Sequence, residues 1–426
     1  MERRRLSRRA LLAALGSTAA ATAGCTAPSR SPRTTSEPST GSDAADDPEI
    51  SLSGDDAWTT YGYESGHSGY NPDAAGPDAD PTQVWESYVE GIYTLREPAV
   101  ADGRVYVGSE QSTWAFDATT GEQEWRTDLD SMPHHYPPTY ADDTLYVVSK
   151  ESGGVNNSAP GYVRALNPEN GAKRWTTGLP VTSTVAHDGD RLYVAAKESG
   201  AGYVRALDAE SGDLGWRFDV PDASQSYVTG TPTYADGTLF VAATHVAADG
   251  SKSGALYALD PDDGSVNWSW EADSALPVSP VVANDRVHLA TRGGAVRAFS
   301  VDGEAAWSAD TGAGVYTRPT YANGRLFVLT TADIVAYEDA GEELWRAGSE
   351  RTQMTGMTVA EDTLYVGGEP LFALDATDGS VTFELEVGVF HGSYGAPVVV
   401  DDVLYAGICI KEAAGGQYDN YVRAFV

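Results

Sequence analysis

The chain repeats itself. Pro232-Thr-Tyr-Ala-Asp-Gly-Thr-Leu-Phe-Val241 returns as Pro319-Thr-Tyr-Ala-Asn-Gly-Arg-Leu-Phe-Val328, and related runs start at Pro98, Pro138, Pro280 and Pro397, with weaker copies near Thr184 and at Met357. Each unit is a short apolar strand, a two-residue Asp-Gly, Asn-Gly or Asp-Asp turn, and a second apolar strand. Such turns tolerate positive φ, which marks a tight hairpin. A second motif follows each hairpin. Ala115-Phe-Asp117-Ala-Thr-Thr120-Gly121-Glu-Gln-Glu-Trp125 reads as a third strand, a glycine-containing turn and a fourth strand carrying an aromatic. It recurs over 165–175, 206–216 and 258–268, and one residue shorter over 298–307 and 336–345. Over 373–383 a Phe takes the Trp position. The spacings between Trp85, Trp125, Trp175, Trp216, Trp268, Trp307, Trp345 and Phe383 are 40, 50, 41, 52, 39, 38 and 38. Four strands in about 40 residues make one propeller blade.

A single blade cannot bury both faces of its sheet, whereas stacked neighbours can. The middle strands, such as Leu-Tyr-Val-Val, are apolar on both faces, as sandwiched sheets require. The eight aromatics are expected to fill the wedge that widens toward the rim. The last repeat stops at Tyr421-Val422-Arg423-Ala424-Phe425-Val426, a third strand without a fourth, while Thr82-Gln83-Val84-Trp85 is a fourth strand without a third. The expected fold is therefore all-β: an eight-bladed propeller of four-stranded antiparallel blades, its last blade completed by the N-terminal strand.

These residues resemble the PQQ-like β-propeller repeat family, whose blade motif is Ala-x-Asp-x-x-Thr-Gly-x-x-x-Trp. The likeness covers residues 58–426. Trp58-Thr-Thr-Tyr-Gly-Tyr-Glu-Ser-Gly-His67-Ser-Gly-Tyr-Asn71-Pro72 is similar to the segment that often precedes the first blade in that family. No Trp-Asp dipeptide occurs, against WD40 repeats. The resemblance implies two kinds of activity. One is quinoprotein dehydrogenation of alcohols or sugars with PQQ and Ca²⁺. The other is a non-catalytic scaffold, such as the lipoprotein subunit of the outer-membrane β-barrel assembly machinery. The large dehydrogenases carry an adjacent Cys pair, whereas Cys25 and Cys409 here are far apart. No carboxylate, amide and base cluster can be matched residue by residue. A fold alone does not transfer activity, so the reading is a non-catalytic module with no cofactor, and PQQ with Ca²⁺ is the alternative.

The N-terminus reads as a targeting segment. Residues 1–24 carry five Arg, including Arg8-Arg9, then an apolar run from Ala10 to Ala23 that is too short to span a bilayer stably. The segment resembles a twin-arginine signal. Thr22-Ala23-Gly24-Cys25 resembles a lipobox, which makes Cys25 the lipidated first residue of the mature chain, with an ordinary signal cut near Ala23 as the alternative. Residues 25–52, rich in Ser, Thr, Pro and Asp, read as a tether, and 53–426 as the propeller. The chain is thereby placed on the outer face of the cytoplasmic membrane.

Binding is expected where the sequence varies. In a propeller, the loops joining strand four to strand one and strand two to strand three share one face. The segments before the first strands supply Arg96, Glu97, His134, His135, Tyr136, Tyr227, Tyr316, Arg318, Gln353, His391 and Tyr394 around the axial mouth. Aromatic, Arg and His side chains suit a protein, peptide or saccharide partner; mutual hydrogen bonding across the channel is the competing reading. The histidines lack metal-ligand spacing, so no metal is assigned. A net charge of −34 excludes nucleic acid as partner, since binding it needs cations to displace counterions. Nothing in the pattern calls for more than a monomer.

Only 5 of the 28 basic residues are Lys, against 62 acidic residues, a balance that resembles proteins of salt-accumulating halophiles. In molar salt the Debye length is about 3 Å and surface carboxylates barely interact; in dilute buffer they repel. The protein is expected to unfold as salt is withdrawn. Circular dichroism melts from molar NaCl down to about 50 mM should show a falling Tm, and an unchanged Tm refutes the reading.

Overall fold

The computed structural model describes residues 49–54, 56–77, 79, 81–91, 95–109, 111–129, 136–150, 160–221, 225–228, 230–348, 352–385, 395–411 and 418–426. The twin-arginine segment, Cys25 and the tether up to residue 48 lie outside them.

Blade 1 runs from the axis to the rim as Ala99–Ala101, Arg104–Gly108, Ser112–Asp117 and Gln123–Asp128, antiparallel throughout. Blades 2 to 7 repeat that order, starting at Thr139, Val181, Thr233, Val281, Thr320 and Thr352. Blade 8 consists of Val398–Val400, Val403–Lys411, Tyr418–Phe425 and, at the rim, Gln83–Val89 from the other end of the chain. Trp85 pairs with Ala424, and Thr82 and Val426 exchange backbone hydrogen bonds of 2.8 and 3.0 Å. The sequence expectation of an eight-bladed ring closed by the N-terminal strand holds.

Ring closure is visible in the core. Among the described residues there are eight hydrophobic clusters, and each spans one pair of neighbouring blades. One of them joins Val398, Tyr405 and Val422 of blade 8 to Val105, Val107 and Phe116 of blade 1.

The repeat motif is the device that clasps these interfaces. In each outer strand a β-bulge falls just before the aromatic, which locally re-aims it. The aromatic then sits opposite an alanine: Trp125 on Ala115, Trp175 on Ala165, Trp268 on Ala258, Trp345 on Ala336 and Phe383 on Ala373. The small partner leaves the indole room to swing toward the next blade. There it covers the turn glycine so closely that a Cβ on Gly121, Gly171, Gly212, Gly264, Gly303, Gly341 or Gly379 would lie 2.4–2.7 Å from the ring. Six of the seven indole N–H groups donate to a carbonyl of that same turn, as Trp125 does to Pro168 at 2.8 Å. Trp307 Nε1 has no such acceptor.

Phe383 is the exception with a reason. Its neighbour is blade 8, the one blade in which strands three and four are not joined by a turn, so there is neither a glycine to cover nor a turn carbonyl for an indole. Residues 74–77, crossing from axis to rim, fill the gap, and Tyr365 donates to Ala75 O at 3.2 Å and Pro77 O at 2.9 Å.

Trp125→Ala should cost roughly 3–5 kcal/mol, the usual loss for a buried aromatic, and Gly171→Ala should also destabilise because the added methyl meets the Trp125 ring. Phe383→Trp should bring no stabilisation. Denaturant titrations in molar salt read all three.

Candidate functional site

Residues 56–71 form a collar inside the ring. They touch the same position of the innermost strand in all eight blades, in order. Trp58 exchanges backbone bonds with Val100 (2.7 and 2.8 Å), Tyr140 donates to Thr59 O, and Ser65 Oγ donates to His187 O. Tyr234, Val282, Tyr321 and Val359 donate to the carbonyls of Ser65, Gly66, Ser68 and Gly69, and Asn71 Nδ2 donates to Val399 O at 2.9 Å. Asn71 also binds Asp56 at 2.9 Å, so the collar's two ends meet. Each contact falls one residue before a strand-one-to-two turn. The collar therefore closes the channel at the tight-turn face.

Buried charge organises the collar. Arg318, 5% exposed, donates through one terminal nitrogen to His67 O at 2.7 Å and to Pro319 O at 3.3 Å, and lies over the Tyr61 ring at 5.0 Å. Gly62 and Gly69 frame it. Both have positive φ, and a Cβ on either would come within 2.9 Å of the guanidinium. Glu97, also buried, accepts from Trp58 Nε1 at 2.9 Å and Gly62 N at 2.7 Å. Burial pushes the Glu97 carboxyl up, opposed by the Arg318 charge and these hydrogen bonds. Glu64 accepts from the backbone and hydroxyl of Ser68, both at 2.9 Å, yet burial pushes its carboxyl up to about 7. Burial, followed by the charge of Arg318, pushes His67 down to about 3. The hydroxyl proton of Thr233 goes to Pro280 O, so His67 Nδ1–H is the donor in its 3.0 Å contact with Thr233, and the ring is neutral.

Above the collar the channel opens at the loop-rich face as a funnel of about 740 Å³. Arg96, Glu97, Tyr136, Tyr316 and Arg318, five of the expected residues, line it. Tyr316 is half exposed with Arg292 over its ring at 4.5 Å, and burial pushes the Tyr136 hydroxyl up to about 12. Tyr227 is not part of the lining. It stands at the edge of blade 4, with the Lys197 ammonium 3.4 Å above its ring. Gln353 lies on the first strand of blade 7, and its side chain is outside the described residues, as are His134, His135, His391 and Tyr394. The sequence reading missed Tyr61, which floors the funnel, and Ser183, Thr184, Thr231, Ser279, Thr355, Met354 and Met357 on its wall. The register of the repeats could have found most of the wall, because Thr184, Thr231 and Ser279 sit where Glu97 and Arg318 sit in their own blades.

The described lining of the funnel does not fit a calcium-bound quinone. Its one lining carboxylate among the described residues, Glu97, is already engaged by Trp58 and Gly62. Among the described residues no three His, Cys, Asp or Glu side chains gather. Cys409 is buried in blade 8, and its chain neighbours are Ile408 and Ile410, so it belongs to no adjacent cysteine pair.

Four-stranded blades clasped by this indole-on-glycine motif define a PQQ-like repeat propeller. A family model described as "Outer membrane protein assembly factor BamB" matches residues 73–158, 159–279, 200–319, 252–337 and 330–417, and the chain belongs to that family. A relative so named from Shewanella oneidensis is 31% identical over 160 residues, 33% of this chain and 38% of its own length, well under half of that protein. BamB from Moraxella catarrhalis superposes with a TM-score of 0.59 at 19% identity, over 82% of this chain and 98% of that one. Quinohemoprotein alcohol dehydrogenase from Comamonas testosteroni superposes with 0.71 at 14% identity, over 87% and 80%. These superpositions establish a shared fold.

The collar predicts a pH dependence. With Glu64 raised from 4.5 to about 7, its contribution to stability is full below pH 4.5 and lost as pH rises through about 7. His67, lowered from 6.5 to about 3, acts oppositely: its contribution is present above 6.5 and lost as pH falls through about 3. Glu64→Gln should therefore raise the stability at pH 8 relative to pH 5, compared with the parent protein. Thermal melts at the two pH values check this, and an unchanged difference refutes it.

Proposed function

We propose that this protein is an exported, lipid-anchored, non-catalytic binding module, a scaffold or assembly factor at the cell surface that takes its partner on the loop-rich face. The observation that carries the reading is the state of the funnel's buried charges. One terminal nitrogen of Arg318 and one carboxylate oxygen of Glu97 are engaged by the collar, so both charged groups at the funnel's base take part in building the fold. What remains at the rim is Tyr316, Tyr136 and Arg96 over a wall of hydroxyls, a surface suited to a protein, peptide or saccharide. The family description and the Shewanella relative favour a protein client. Cys25 would tether the monomer to the outer face of the cytoplasmic membrane, within the cell envelope.

A quinoprotein dehydrogenase is the second reading, favoured by the higher TM-score to the Comamonas alcohol dehydrogenase. Dye-linked oxidation of alcohols and sugars after adding PQQ and Ca²⁺ separates the two. No turnover is expected; clear turnover that is lost in Arg318→Ala or His135→Ala overturns the scaffold reading. Co-purification from membranes in molar salt should yield a partner, and Tyr316→Ala should reduce its recovery with an unchanged Tm. Full recovery from that variant removes the mouth from the interface.

A further inference from the structure

Which side of the disc faces the membrane can be read from where the N-terminal chain joins it. Ser53 N donates to Asp401 Oδ2 at 3.0 Å, and Asp401 belongs to the tight turn between strands one and two of blade 8. Ile50 and Leu52 pack against the core shared by blades 8 and 1. Three residues further on, Asp56 accepts from Asp401 N at 2.6 Å and the chain enters the collar. The junction is therefore on the tight-turn face, the same face at which the collar closes the channel. The funnel opens only on the opposite face.

We propose that the tight-turn face is the membrane-proximal one, and that the funnel and the long loops point away from the lipid, toward water-soluble exported partners. The proposal rests on the anchor reading of Cys25. One feature of the face agrees with it. Its turns are short, and the hollows among them, about 440 Å³ beside Asp285 and about 380 Å³ beside Asp262, are smaller than the funnel, so the larger recognition surface is kept free by turning this face inward. A partner embedded in the bilayer would have to reach round the rim to enter the funnel, whereas a soluble chain meets the mouth directly.

Single cysteines test this on the full-length lipidated protein in membranes, in molar salt. Cys409 is 1% exposed and should not label. Thr377→Cys places a fluorophore on the tight-turn face of blade 7, at an exposed side chain whose backbone N–H alone binds Asp375. Ala248→Cys places one on the exposed loop between strands two and three of blade 4. Energy transfer to an acceptor on lipid headgroups should be at least twofold more efficient from position 377. Equal or reversed transfer overturns the orientation while leaving the anchor intact. A free thiol at Cys25, seen by mass spectrometry of the mature N-terminus, overturns both.

Discussion

A ring of sheets stands only if every interface, including the one that joins the two chain ends, is as good as the others. In this protein the common element is an indole laid over a glycine of the next blade. The geometry is demanding. The bulge turns the outer strand, an alanine on the third strand leaves space beside it, and a glycine without Cβ lets the ring lie flat on the turn backbone. The indole N–H then satisfies a turn carbonyl that would otherwise face apolar surface. Because Trp85 covers Gly121 as Trp125 covers Gly171, the blade assembled from both chain ends docks like its neighbours. Phe383 shows the same rule from the other side: where the turn is missing, the polar edge of the ring has no use.

The collar imposes a second constraint. One strand-like segment that bonds to eight inner strands in turn must bend continuously, and its carbonyls must point outward. Gly62, Gly66 and Gly69 make that bend, and Arg318 fills the space that the missing side chains of Gly62 and Gly69 leave. Placing an arginine, two glutamates and a histidine in the dry centre is costly unless each is hydrogen-bonded. The structure answers with main-chain donors and acceptors: His67 O for Arg318, Gly62 N for Glu97 and Ser68 N for Glu64. These buried polar groups hold the collar in place, with the hydroxyls and tyrosines above them forming the wall of the funnel.

The site was therefore only half legible beforehand. Arg96, Glu97, Tyr136, Tyr316 and Arg318 were found because the repeat register places them just before a first strand, a segment that in these blades faces the axis. The roles of Arg318 and Glu97 were not legible. In sequence they are polar residues at a mouth; in space they lie at the base of the funnel against the collar. Tyr227 stands four residues before Thr231, the blade 4 residue in that register, and lies off the mouth because residues 225–227 pair with the second strand of blade 4, beside Lys197.

The number of blades, the identity of each interface and the way the ends join were all written in the sequence, because each rests on a local pattern: a turn that needs positive φ, an aromatic at fixed spacing from a glycine, a third strand lacking its fourth. The collar was not. In six of the eight blades its bond to the innermost strand runs through backbone atoms, which leave no periodic side-chain trace, and its partners are up to 345 residues away. Only the folded ring brings those eight strand ends to one axis. That convergence decides which face is sealed, which is open, and where the N-terminal chain joins the disc.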